Sequence, residues 1–128
     1  MKKSNNKGFS LVELIIVIAI MAVLVGLLAP QYLKYVHNSK VSTDISNAQD
    51  MATAFNVAYA DAEGAAIDTT KMPDGKAFPT SKVDSSYTWV VTIDDTNKTG
   101  VESITLGGME IWPNPKDSGN YYDELHKK

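Results

Sequence analysis

The 128 residues contain no cysteine and no arginine, and only two histidines and five prolines. Without cysteine, disulfides, thiolate nucleophiles and cysteine-bearing metal sites or clusters are excluded. Without arginine, the planar fork that grips phosphate bidentately is missing. All 12 cationic side chains are lysines, and against 15 carboxylates they leave a net charge of -3. That balance gives no nucleic-acid site. His37 and His126 stand far apart in the chain, so both are expected in solvent, with neither a metal pair nor a general base between them. Gly107-Gly108 lacks the strand, glycine spacing and following helix of a nucleotide loop. No catalytic group, metal or cofactor is expected, and the length suits one small domain.

What is present is unevenly distributed. From Leu14 to Ala29 no side chain is polar, and counting from Phe9 the apolar stretch is broken only by Ser10 and Glu13. As a helix that stretch covers roughly 31 Å, about one bilayer hydrocarbon core. Lys2, Lys3 and Lys7 precede it with no acid among them, so the positive-inside bias keeps the N-terminus cytoplasmic and sends residues after Pro30 outward. A cleavable secretory signal would also combine a basic start with an apolar run. Against it, the run ends Gly26-Leu27-Leu28-Ala29-Pro30 without an A-x-A pattern. Glu13 also lies inside the apolar segment, where an unpaired carboxylate costs at least about 2.5 kcal/mol.

The run Gly8-Phe9-Ser10-Leu11-Val12-Glu13-Leu14, behind a short lysine-rich leader and ahead of an apolar helix, resembles the N-terminal signature of type IV pilins and type II secretion pseudopilins. The short leader and the phenylalanine start are similar to the type IVa class. The resemblance covers about the first 35 residues. It implies that a membrane prepilin peptidase removes leader residues 1–8 by cutting between Gly8 and Phe9, then methylates the new Phe9 amine. It further implies self-association into a helical homopolymer, driven by a separate inner-membrane assembly platform. Removing the leader would leave nine lysines against fifteen acids, a charge of -6.

The residues themselves fit such processing. A glycine before the cut has no side chain, which lets extended backbone enter a narrow protease groove. Glu13 needs a partner, either the Phe9 amine of its own helix or that of a neighbouring subunit displaced along a filament. In low dielectric a missed pairing is costly, so the pair would set subunit register. The alternative is that Glu13 snorkels to the cytoplasmic interface. Pro30 lacks the amide that would bond the Gly26 carbonyl, so the helix is weakest between Gly26 and Pro30. There it either loses regular form when the subunit enters a filament or holds a static kink.

Past Pro30, Val41, Ile45, Ala48, Ala52, Phe55, Tyr59 and Ala62 form one apolar stripe with polar residues, aspartates included, around it. The stripe predicts an amphipathic helix over 31–63, capped by Gly64 and packed on the chain's own sheet rather than in a coiled coil. Residues 64–86 read as a loop with Met72 and Phe78 as anchors. Tyr87, Trp89, Val91 and Ile93 alternate with Thr88, Val90 and Thr92 as a strand, and Val101–Leu106 and Met109–Trp112 complete a three-stranded antiparallel meander over 87–112. The fold class is therefore α+β, a long N-terminal helix on a small antiparallel sheet, which resembles the pilin fold.

The tail 113–128 lacks periodicity. A disulfide staples this region in many Gram-negative pilins; here packing must hold it, or it is mobile. Asp117, Asp123 and Glu124 are hard oxygen donors whose spacing matches no calcium loop. Asn97-Lys98-Thr99 forms a glycosylation sequon in a polar turn. Tyr32 and Tyr35 serve as interface anchors or, with Phe9, as an aromatic path through a filament. The resulting expectation has three segments: leader 1–8, transmembrane and filament-core helix 9–30, and extracellular domain 31–128. The function is that of a major type IV pilin serving adhesion, motility or DNA uptake. The alternatives are a pseudopilin of a secretion or competence system and a single-pass membrane-anchored binding domain.

Overall fold

A computed structural model describes residues 8–116 and 119–126; the leader residues 1–7 and Asp117 lie outside this range. The elements run in the order α1 (Leu11–Asp61), β1 (Trp89–Asp94), β2 (Gly100–Leu106), β3 (Met109–Trp112) and α2 (Tyr121–His126). The chain divides into two compact units, one up to Val36 and one from His37 onward. In the first, α1 is apolar on every side and no residue from Gly8 to Tyr35 is buried. The helix continues through Pro30.

The second unit holds the core. Here α1 buries Val41, Ala48, Met51, Ala52, Phe55 and Tyr59, the helical spacing that the stripe describes. All but Tyr59 meet Trp89 and Val91 of β1, Val101, Ile104 and Leu106 of β2, and Ile111 of β3 in one cluster. A fully buried Phe55 contributes roughly 1.5–3 kcal/mol relative to exposure. The three strands form one antiparallel sheet in the order β1-β2-β3, so helix and sheet together make the expected α+β architecture. Ile67, Met72 and Phe78 pack on the cluster from the loop between α1 and β1. Val83 and Tyr87 of the same loop pack there as well.

One departure concerns a polar residue. Asp44 is fully buried rather than solvated beside the stripe. Its Oδ2 accepts from Ser81 Oγ (2.7 Å), the Tyr121 hydroxyl (2.5 Å) and the Val83 amide (3.4 Å), and its Oδ1 accepts from the Lys82 amide (2.8 Å). A carboxylate can enter a core only with its lone pairs filled in this way. The tail is also structured: residues 121–126 form the short helix α2, with Tyr121 and Leu125 buried in the main cluster.

The end of α1 is tighter than expected. The helix stops at Asp61, and Glu63 takes the left-handed position with φ 54°. The Glu63 amide donates to Ala60 O and the Gly64 amide to Tyr59 O, the paired bonds of a Schellman motif. Gly64, expected as the cap itself, follows one position later. At Gly100, φ is +100° and the Asn56 side chain occupies the space that a Cβ would need. Asn56 Oδ1 there accepts from the Val101 amide at 2.8 Å, tying α1 to the start of β2.

Candidate functional site

The residues singled out at the N-terminus lie together at the start of α1. Gly8 has nothing within 4 Å of where a Cβ would stand, and Phe9 is 83% exposed. Open backbone of this kind is what a peptidase groove requires. Ser10 and Glu13 form a reciprocal cap: the Glu13 amide donates to Ser10 Oγ at 3.2 Å, and the Ser10 amide donates to Glu13 Oε2 at 3.3 Å. This is the capping box Ser-x-x-Glu, in which each side chain satisfies an amide left free at the helix start. The four-residue motif is legible in Ser10-Leu11-Val12-Glu13, and it gives the Glu13 carboxylate a neutral partner within its own chain. In the uncut chain Phe9 carries an amide nitrogen, so an amine for Glu13 arises only on cleavage.

Beyond the cap, the helix offers apolar side chains alone as far as Pro30. Leu11, Ile15, Ile18, Val25 and Leu28 are between 50% and 73% exposed, on all sides of the helix axis. The segment is long and apolar enough to cross a membrane. Gly26 has nothing within 4 Å of its Cβ position, so a neighbouring backbone can approach there closely. Pro30 lies four residues on, within the same continuous helix.

The histidines are not solvated as expected. Both are half-buried, with ring centroids 6.4 Å apart. His37 Nε2 lies 2.8 Å from the Leu125 carbonyl and His126 Nδ1 lies 2.9 Å from that of Tyr122. A carbonyl oxygen only accepts, so these nitrogens carry protons and are not available to a metal. His126 also stacks on Tyr122 at 3.8 Å, beneath the Lys116 ammonium at 5.0 Å from the tyrosine ring. Among the described residues no three histidines or carboxylates converge on a point where an ion could sit. Asp117 and the Asp123 side chain are outside the described residues.

In the β1–β2 turn, the Asp94 carboxylate gathers the Thr96 and Asn97 amides, Asn97 Nδ2 and Thr99 Oγ1. These bonds, those from Asn97 first, hold the Asp94 carboxyl below its usual range. The exposed Asn97 of the sequon is thus part of the turn's own bonding.

Residues 3–29 match the prokaryotic N-terminal methylation motif. Over 63 residues, 49% of the chain and 40% of the relative, the sequence is 41% identical to a type IV major fimbrial protein FimA of Dichelobacter nodosus. It is 34% identical over 88 residues to the type IV major pilin protein PilE1 of Neisseria gonorrhoeae, covering 69% of the chain and 40% of the relative. The chain thus spans about 40% of the length of several curated relatives that it matches. The likeness to the fimbrial protein EcpC of Eikenella corrodens extends further, at 33% identity over 112 residues, 84% of the chain and 73% of the relative. No solved structure matches the sequence. With the methylation motif at its N-terminus, a long apolar helix followed by a helix-on-sheet unit, and fimbrial likeness over most of its length, the chain belongs to the type IV pilin family.

Proposed function

We infer that this chain is a structural subunit of a type IV pilus, made as a membrane precursor and polymerised through its N-terminal helix. The observation that carries this reading is the apolar surface of α1 from Leu11 to Leu33, which no described residue covers. An uncovered apolar helix of this extent needs lipid or other helices around it. In the precursor, residues 9–30 span the membrane with the lysine-bearing leader in the cytoplasm, and residues 31–128 lie outside. Prepilin peptidase cuts between Gly8 and Phe9 and methylates the Phe9 amine. The assembly platform then moves the subunit from lipid into the filament, where α1 exchanges acyl chains for neighbouring helices.

Glu13 gives that exchange its register. The new Phe9 amine of an adjacent subunit replaces the Ser10 amide as partner of the Glu13 carboxylate, because a full charge binds it more strongly than a neutral donor. Gly26 and Pro30 mark where the helix gives way when subunits pack. The relatives carry major-pilin names, which supports a filament serving adhesion, motility or DNA uptake over a secretion pseudopilin.

The test is the intact mass of the protein in material sheared from cells, compared with that left in the membrane. A sheared species beginning at methylated Phe9 is expected. A processed form confined to the membrane would favour the pseudopilin, and an uncut chain beginning at Met1 would leave a membrane-anchored binding domain.

A further inference from the structure

The loop between α1 and β1 folds back beside the free edge of β1 and leaves a cleft of about 560 Å³, a size that suits a small ligand. Among the described residues, none that line it is charged. Two half-buried rings, Phe78 and Tyr87, border it, and hydroxyls come from Thr69, Thr70, Thr80 and Ser85. Each ring is fixed from behind. Tyr87 lies flat on Gly107, whose Cβ position is 2.9 Å from the ring carbons, and Phe78 packs against Phe55 at 6.2 Å between centroids. Thr70 commits its proton to Asp68 at 2.6 Å, so its oxygen remains as an acceptor.

The strand edge adds polar groups to the floor. Thr88 O accepts from the Gly107 amide, and Val90 pairs with Thr105. In an antiparallel ladder the hydrogen-bonded positions alternate, so the main-chain groups of Thr88 and Val90 face β2 and those of Trp89 and Val91 face outward. Both Trp89 and Val91 line the cleft. Among the described residues no backbone bond reaches their outward groups. The Trp89 ring is not free to move, since its Nε1 donates to Pro79 O at 2.7 Å.

We propose that this cleft binds a neutral oligosaccharide. The negative face of an aromatic ring attracts the polarised C–H groups on one side of a hexose. Hydroxyls that both donate and accept match sugar hydroxyls without fixing a charge. A charged ligand would lose water here and meet no counter-charge among the lining residues. A purely apolar ligand would leave the hydroxyls and the strand-edge amides unpaired. A two- or three-ring sugar lies along the edge, with its apolar face on Tyr87 and its hydroxyls toward Thr80 and Ser85. The site lies within residues 69–91 and does not depend on polymerisation, so it stands or falls separately from the filament reading.

The full chain in detergent micelles, applied to an array of neutral, sialylated and sulfated oligosaccharides, tests the proposal. Retention of neutral hexose or N-acetylhexosamine oligosaccharides is expected, with Tyr87→Ala lowering affinity about tenfold or more. Because Tyr87 also seats Gly107, the double variant Thr80→Val/Ser85→Ala supplies the second arm. Both side chains are exposed, so the thermal midpoint should hold while affinity falls about fivefold or more. Retention of no neutral glycan, a preference for acidic glycans, or binding that survives both sets of substitutions would overturn the proposal.

Discussion

The Tyr121 hydroxyl donates to Asp44 Oδ2 at 2.5 Å across 77 positions of sequence, and neither residue has any exposed surface. Ser81 completes the contact from the loop, so one carboxylate joins α1, the loop before β1 and α2. Removing the acceptor strands two hydroxyls and two amides in the core, whereas removing one donor leaves a carboxylate still bonded on its other sides. Asp44→Ala should therefore cost about 3–5 kcal/mol and Tyr121→Phe about 1.5–3 kcal/mol. In a double-mutant cycle followed by urea unfolding, the pair should couple by at least about 1 kcal/mol. Additive losses would show that the bond does not hold α2.

Burial, followed by the hydrogen bond to Asp44, pushes the Tyr121 phenol above its ordinary value of 10.0. Its contribution is present in full below pH 10. As pH rises further the unfolded chain ionises while the folded chain keeps its proton, so stability falls by about 1.4 kcal/mol per pH unit. Unfolding midpoints measured between pH 9 and 11 should decline in the native chain and decline less in Tyr121→Phe. Equal slopes would contradict the assignment.

Tyr59 predicts the opposite sign. Its buried hydroxyl has no hydrogen-bond partner among the described residues. Tyr59→Phe should be neutral or stabilising by up to about 1 kcal/mol, because it removes an unpaired polar group and keeps the ring. A loss of more than that in thermal unfolding would reveal a bond that this arrangement lacks.

For the N-terminal site, the cap and the register role of Glu13 separate cleanly. Ser10→Ala removes the hydroxyl that caps α1, a change of about 0.5–2 kcal/mol, but leaves the carboxylate free for a neighbour's amine. Surface filaments should persist in Ser10→Ala and disappear in Glu13→Ala, with leader cleavage intact in both. Normal filaments from Glu13→Ala would end the register argument.

The Asp94 turn gives a local test. Its carboxyl is held low by the bonds from Asn97, Thr99 and Thr96, so that contribution is present above the ordinary value of 3.8 and is lost as pH falls through the lower folded one. The amide resonances of Thr96 and Asn97 should titrate with a midpoint below 3.8. A midpoint at or above that value would mean the turn opens in solution.

How far these features were legible depended on whether their signal was local. The apolar segment, the stripe from Val41 to Tyr59 and the alternation around Trp89 are repeats of 3.6 or 2 residues, and periodicity survives in a single sequence. The family signature was likewise contiguous. Asp44 was hidden because a charge normally marks a solvated face, although it stands three residues from Val41 and four from Ala48 on the buried side. Tyr121 and Leu125 form too short a helix to show a period, and their partners lie on α1 and the sheet. The nearness of His37 and His126 likewise depends on α2 folding back.

The clamp at Asp44 is made of hydrogen bonds alone. Where a sulfur cross-link would need an oxidant and an isomerase, these contacts form in any redox environment and re-form after each opening. Thiol reductants should leave this fold untouched, and a strictly anaerobic or reducing host poses it no difficulty. Its vulnerability lies instead in alkali, where the unfolded chain gives up the tyrosine proton that the folded clamp retains.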